Sequence, residues 1–338
     1  MATIKKRRSL HSHKRHRKIN FLAITTGDSD GIGFEVSAKA LAKIGPQKNT
    51  VFVLFRSRNL HKKNLKYLSL IDKEFIRLTF NKFSDLKIFL QNNPISSKNI
   101  LLDYSASSLA PHWVEEAASL CLDKLCKGMV TAPLSKVLIA KSGLKGMGHT
   151  EILKRMAKAK RIHQAFVGAH FNVILMTSHI PLKDVPKQVL SSKNLNVSLK
   201  SALELKNLLP INQRKKPLAM LGLNPHAGED GLLGKEEASA LKEFCKQHKI
   251  SGPLSPDAAF LKENWNKYSV YMACYHDQGL IPFKTIHGQD SGIHISVGLP
   301  FLRTSVDHGT AKDIFGKNKA NASSMFEAIT FALGYKGS

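Results

Sequence analysis

An α/β fold of two lobes, or of two domains, is the expectation for this 338-residue chain. Its length exceeds one typical domain. Apolar strand-like runs alternate with segments of helical periodicity, as a layered α/β protein requires. An apolar fraction of 43% is enough for a sizeable core, and no apolar run reaches the roughly 18 residues of a membrane span.

Order is expected from about residue 19. Asn20 to Thr26 reads as a buried strand, Gly27 to Gly33 as a glycine loop, and Phe34 to Ala42 as a helix. The loop is not GxGxxG, so on its own it is weak evidence for a nucleotide. Thr50 to Phe55 gives a second strand. Residues 57 to 110, rich in Lys, Asn and Ser, read as peripheral elements without evident chemistry. Trp113 to Lys127 has helical spacing, and Gly128 to Pro133 is a short strand entering a loop. His163 to Leu175 is strand material running into Met176-Thr177-Ser178-His179. Leu195 to Leu209 and Lys235 to Lys246 read as helices, and Leu218 to Leu223 and Val270 to Tyr275 as strands. No fixed-period repeat is present.

The formal charge is +26, and residues 5–18 carry eight Lys/Arg with no acid. The remaining chain is still at +18 (26 − 8), so a basic surface attracting anions is expected. Segment 1–18 reads as a solvated disordered arm, as a tether for nonspecific polyanion binding, or as a targeting peptide, although it lacks a secretory apolar region. The charge also admits a nucleic-acid-binding protein. Two Trp, six Tyr and no recognisable RNA or DNA module argue against that reading. Four cysteines without a CxxC pair fit free buried thiols in a cytoplasmic protein.

Chemistry concentrates between Tyr275 and Gly316. His276-Asp277-Gln278-Gly279, Lys284, and the run from Arg303 to Ile314 crowd imidazoles, cations and glycines together. Three predicted strands lead into a histidine, namely His179, His226 and His276. Ligands gather at the carboxyl ends of strands in open α/β sheets, and three imidazoles leave open positions on a catalytic divalent metal. Taken singly, each reads as a structural or surface histidine. Gly148-His149-Thr150-Glu151 reads as a helix start with Thr150 near the cap, or as an anion site. In the Gly-rich loop after Leu221, Asn224 and Glu229 are placed to orient His226. Asp277 reads as a metal ligand, an orienting group or a general base.

Six segments, in order, resemble the 4-hydroxythreonine-4-phosphate dehydrogenase (PdxA) family. They are Gly27 to Glu35, Thr131 to Lys136, Gly148 to Glu151, Gly222 to Glu229, Tyr275 to Leu280, and Gly298 to Ala311. The likeness runs from about Phe21 to Ala332 and is loosest over 57–110. It implies a two-lobed isocitrate/isopropylmalate dehydrogenase-like fold with the active site in the interlobe cleft. It also implies a homodimer whose site draws on both subunits. The implied activity is metal-dependent oxidation of 4-phosphooxy-L-threonine by NAD or NADP, followed by decarboxylation, in vitamin B6 biosynthesis. A 4-phospho-aldonate is the alternative substrate.

By this resemblance His179, His226 and His276 bind one divalent metal (Zn, Mg, Mn or Co). His149, Thr150, Lys284, His294 and Arg303 bind the phosphorylated substrate. Asp277 is expected in proton transfer, with Lys284 a second catalytic candidate. His308, Gly309, Thr310, Ala311 and Asp313 are placed at the cofactor by likeness to the wider superfamily.

The chain departs from the family pattern at several points. His294 stands where Asn is usual, and Asp28-Ser29-Asp30 replaces Asp-Pro-Ala. Ser178 replaces Thr, Ala258 replaces Thr, and one residue is inserted between Lys284 and Gly292.

Overall fold

The computed structural model describes residues 19–92, 95, 99–144, 148–288 and 291–335. The basic segment 1–18, with the readings attached to it, lies outside the described residues. So do Gly146 and Met147 of the turn before His149. The inserted residue before Gly292 falls partly on positions 289–290, also outside them.

Twelve strands among the described residues form one sheet. They are β1 (Asn20–Thr25), β2 (Thr50–Ser57), β3 (Ile76–Phe80), β4 (Ile100–Ala106), β5 (Gly128–Thr131), β6 (His163–Gly168), β7 (Asn172–Leu175), β8 (Ala219–Leu221), β9 (Ser251–Leu254), β10 (Tyr271–Ala273), β11 (Gly292–Val297) and β12 (Leu302–Val306). Their order is β3-β4-β2-β1-β5-β12-β11-β6-β7-β10-β8-β9. Six strands from β3 to β12 pair in parallel, as do β7, β10, β8 and β9. The pairings β12–β11, β11–β6 and β6–β7 are antiparallel and join the two parallel halves. The chain builds one half through β5, crosses to the other through β10, and returns with β11 and β12.

The strand sequences explain this arrangement. β1 and β2 are almost wholly buried apolar runs, the signature of parallel strands covered on both faces. Alternation sends Leu22 and Ile24 to one layer with Phe34 and Leu41, and Phe21 and Ala23 to the other with Trp113 and Val114. The first layer continues across the sheet to Ile174, Met220 and Met272 of the second half. Helix Gly33–Ile44 packs on the C-terminal helix Ser323–Gly334, so the last residues cover the first half.

Four observed boundaries differ from the sequence expectation. The helix expected over Trp113 to Lys127 runs Ala110–Leu122, and Lys124 adopts a left-handed φ of 58° beyond it. The helix expected from Leu195 starts earlier, at Ser192–Leu208. Lys235 to Lys246 divides into a π-helical turn, Glu237–Leu241, and helix Lys242–His248. The strand expected to reach Tyr275 stops at Ala273, because Gln278 takes over its hydrogen bonding. Gln278 Oε1 accepts from Cys274 N–H at 2.7 Å, and its Nε2 donates to Gly222 O at 2.7 Å. His276 therefore opens helix His276–His287 rather than ending a strand.

Residues 57–110 carry structural chemistry that their composition does not announce. Asp103 on β4 is fully buried and receives Arg56 Nε and Nη2 at 2.8 and 2.7 Å, with Arg77 Nη1 at 2.7 Å. All four cysteines are buried and free. No helix among the described residues is long and apolar enough to cross a membrane.

Candidate active site

Strands β7, β10 and β8 are neighbours and parallel, with Tyr271 opposite both Val173 and Ala219. The three histidine-bearing segments therefore leave the sheet along one edge. His179 and His276 meet there, with ring centroids 5.2 Å apart. His276 Nδ1 lies 2.7 Å from Asp277 Oδ1. That contact directs the Nδ1 proton to the carboxylate and leaves Nε2 free to bind a metal.

His226 does not join this pair. Among the described residues no group of three or more His, Cys, Asp or Glu side chains is close enough to hold a metal. His226 is exposed and sits in a turn whose residues from His226 to Gly231 all have positive φ. Its electrostatic neighbour is Asp257. The turn is held by the buried Glu237: Oε1 accepts from Leu223 and Asn224 N–H, both at 2.7 Å, and Oε2 from Asn224 Nδ2 at 3.0 Å. Glu229, expected to orient His226, is an exposed member of the turn itself.

The substrate-binding candidates converge on one face of the sheet centre. In β12, Arg303 and Ser305 alternate onto the same side, and Asp307 follows just beyond the strand's end. Pairing places Ser305 opposite His294 of β11 and Arg303 opposite Met129 of β5, two residues from Thr131. Arg303 is only 3% exposed, yet its hydrogen-bond partners among the described residues include no carboxylate. Its partners are neutral. Nε and Nη2 donate to Thr131 Oγ1 at 3.2 and 2.7 Å, and Nη1 donates to His294 Nδ1 at 2.9 Å and Ser296 Oγ at 3.0 Å. Burial without a counter-charge pulls its pKa down to about 9.

His149 opens helix His149–Met156, whose N-cap is Gly148, and Thr150 follows inside the first turn rather than capping it. Burial, reinforced by Arg303, holds both His149 and His294 well below the ordinary imidazole range, so both are neutral. The Nε2 atoms of His149, His294 and His308 are buried without a hydrogen-bond partner. Leaving such an atom unpaired costs about 1–3 kcal/mol, which a bound ligand recovers.

These groups line a cleft of about 760 Å³ that includes His149, Thr150, His179, His294, Arg303 and His308. A contiguous recess of about 350 Å³ adds His276, Lys284 and Asp307. Lys284 Nζ is 3.5 Å from Asp307 Oδ1, with Lys284 half exposed. Burial raises the Asp307 carboxyl, while Lys284 and His308 oppose the rise.

The expected cofactor residues divide. His308 and Gly309 line the cleft. Thr310, Ala311 and Asp313 do not. Thr310 O accepts from Ile32 N–H at 3.0 Å, Ala311 has a left-handed φ of 43°, and Asp313 is exposed. Lys312 joins the same two loops, at 2.8 Å from Asp30 and 3.3 Å from Asp28.

The pyridoxal phosphate biosynthetic protein PdxA family model matches residues 48–332. The chain belongs to the PdxA family. It is 36% identical to the 4-hydroxythreonine-4-phosphate dehydrogenase of Sulfurihydrogenibium sp. over 92% of this chain and 97% of that protein. Identity to the same-named protein of Aquifex aeolicus is 35%, covering 91% and 96%. The crystal structure of 4-hydroxythreonine-4-phosphate dehydrogenase from Klebsiella pneumoniae superposes with a TM-score of 0.71 at 26% identity, covering 93% of this chain and 98% of that one. A β-decarboxylating dehydrogenase from Thermococcus kodakarensis shares the fold, with a TM-score of 0.50 at 11% identity over 94% and 83% of the two chains. A dehydrogenase of this family works with a nicotinamide cofactor.

The departures from the PdxA pattern acquire structural meaning here. Asp30, where the family usually has Ala, is the closer carboxylate on Lys312. His294, in place of Asn, is the acceptor for Arg303. Nothing in the structure explains Ala258. Thr131 and Asp307, which carry no evident role by sequence alone, are each the direct partner of a candidate cation. Asp277 contacts His276 and is largely exposed, with its side chain 69% accessible. It is absent from the residues lining the cleft, beside which His276 stands.

Proposed function

We propose that this chain oxidises 4-phosphooxy-L-threonine with NAD(P)⁺ to 2-amino-3-oxo-4-phosphooxybutanoate. That product loses CO₂ to give 3-amino-2-oxopropyl phosphate for pyridoxal phosphate biosynthesis. The observation carrying this reading is Arg303, a buried guanidinium in a cleft, held only by neutral groups. Such a cation is completed by an anionic ligand. Together with His149 and Thr150 at a helix start, it holds an anionic end of the substrate. Lys284, beside Asp307 and half open to water, passes the proton released from the C3 hydroxyl.

His179 and His276 supply two imidazole donors suited to a divalent cation such as Zn, Co, Mn or Mg. Asp277 fixes the His276 tautomer. When bound, a divalent cation would supply Lewis-acid polarisation of the substrate hydroxyl and stabilisation of the negative charge left by loss of CO₂. His226 supplies the third donor from a second copy of the chain, which makes a homodimer the working unit. His308 and Gly309 contact the nicotinamide nucleotide, and Thr310, Ala311 and Asp313 shape the loop behind them.

His294 favours a second reading, a 4-phospho-aldonate dehydrogenase, because it stands in the cleft where the family usually has Asn. Purified protein assayed with both substrates, with NAD⁺ and NADP⁺ and metal add-back, separates the two. Reduced cofactor from 4-phosphooxy-L-threonine is expected; reduced cofactor from the aldonate alone overturns the main reading.

A further inference from the structure

Arg303 and His294 together determine more than an anion site. An arginine has only donors. Arg303 Nη1 faces His294 Nδ1 at 2.9 Å, so Nδ1 must present its lone pair. Ser305 Oγ, 3.0 Å from the same nitrogen, also meets a lone pair there. A neutral imidazole carries one ring proton, which therefore sits on Nε2. That atom is buried and lacks a partner among the described residues, and His294 lines the cleft. His149 Nε2 is likewise buried without a partner among the described residues.

Arg303 also has capacity left. Nε gives one hydrogen bond, Nη1 two and Nη2 one, which leaves one of its five N–H groups unused.

We infer that His294 is a specificity-determining residue locked by Arg303 as a donor-only Nε2–H, which selects an anionic oxygen, of a phosphate or a carboxylate, and refuses an ammonium. The asparagine usual at this position offers either a donor or an acceptor by rotating its amide. Histidine held by arginine offers only a donor. An amino group on the substrate must therefore be met elsewhere. This inference rests on the cleft being the substrate site, but not on which substrate is turned over.

Nuclear magnetic resonance of protein labelled with ¹⁵N-histidine tests it without turnover. The His294 signals, assigned by their loss in His294→Gln, are expected to show the Nε2–H tautomer. Inorganic phosphate or L-threonine is expected to shift that Nε2–H resonance, and which one does so identifies the phosphate or the carboxylate as the group bound. Calorimetry with 4-phosphooxy-L-threonine, without cofactor, is expected to show binding weakened about ten- to hundredfold in His294→Ala and largely recovered in His294→Gln.

An Nδ1–H tautomer overturns the inference. So does a resonance that neither probe moves, or a folded His294→Ala variant that binds as well as the parent. If that variant does not fold, the tautomer and the resonance shift in the unaltered protein decide. A protein inactive on 4-phosphooxy-L-threonine that still shows both signatures would sink the proposed function and leave this inference standing.

Discussion

At the scale of single residues, burial outweighs intrinsic chemistry in several places. Arg303 is the leading case in the cleft, and Glu116 is one away from it. Glu116 lies on helix Ala110–Leu122, and Tyr104 Oη donates to its Oε1 at 3.1 Å. Burial pushes its carboxyl up to about 7, against the smaller opposing effects of Tyr104 and His112. The folded pKa is thus raised above the unfolded one. The protonated side chain is tolerated below about pH 4.5, and stability is lost as pH rises through about 7. Glu116→Gln keeps the acceptor for Tyr104 and never ionises. It should be more stable than the parent by about 1–2 kcal/mol at pH 8, after allowance for solvent screening, and equal to it at pH 4. Urea denaturation at the two pH values checks this. Glu116 was not legible as important from sequence, because it acquires its role from packing, and Thr131, though it opens a motif, acquires its role from a partner far along the chain. The histidines were legible, since each stands in a dense motif after an apolar run.

At the scale of elements, the turn from His226 to Gly231 is the most unusual piece of backbone. Four of its six residues are non-glycine in the left-handed region: His226, Ala227, Glu229 and Asp230. Each costs roughly 1–2 kcal/mol relative to the right-handed form. Glu237 offsets this by gathering the loop's N–H groups, and a Cβ on Gly228 would lie 2.7 Å from Glu237 Oε2. Glu237→Ala should lower stability by about 2–3 kcal/mol, from the unsatisfied donors alone. It should also cut bound metal as far as His226→Ala does, measured by thermal unfolding and elemental analysis. A variant that loses stability but keeps its metal would separate the turn from the site. The sequence pointed to Glu229 as the orienting acid because it is nearer in the chain. Glu237 was hidden because a π-helical turn, not a regular helix, carries it back over the loop.

At the scale of the molecule, the alternation of strands and helices was readable, and so was the edge where the histidines emerge. The strand order was not readable, because pairings such as β12 with β5 join residues more than 170 positions apart. The separation of His226 from His179 and His276 is also a whole-molecule property, and it yields a direct test. Mixing His226→Ala with His179→Ala, each inactive alone, should restore about a quarter of parental activity if sites are shared across a dimer, because half the dimers are mixed and each carries one intact site. No restoration after co-refolding would place all ligands within one chain. The return of β12 to the first half has another consequence, for synthesis. The half ending at β5 leaves the ribosome with a bare strand edge that only residues near the other end of the chain can cover. At 5–20 residues per second that edge waits roughly 10–35 s, long enough for pairing with a neighbouring nascent chain to compete. The strand that presents Arg303 to the cleft is thus also the one that closes the unfinished protein to its neighbours.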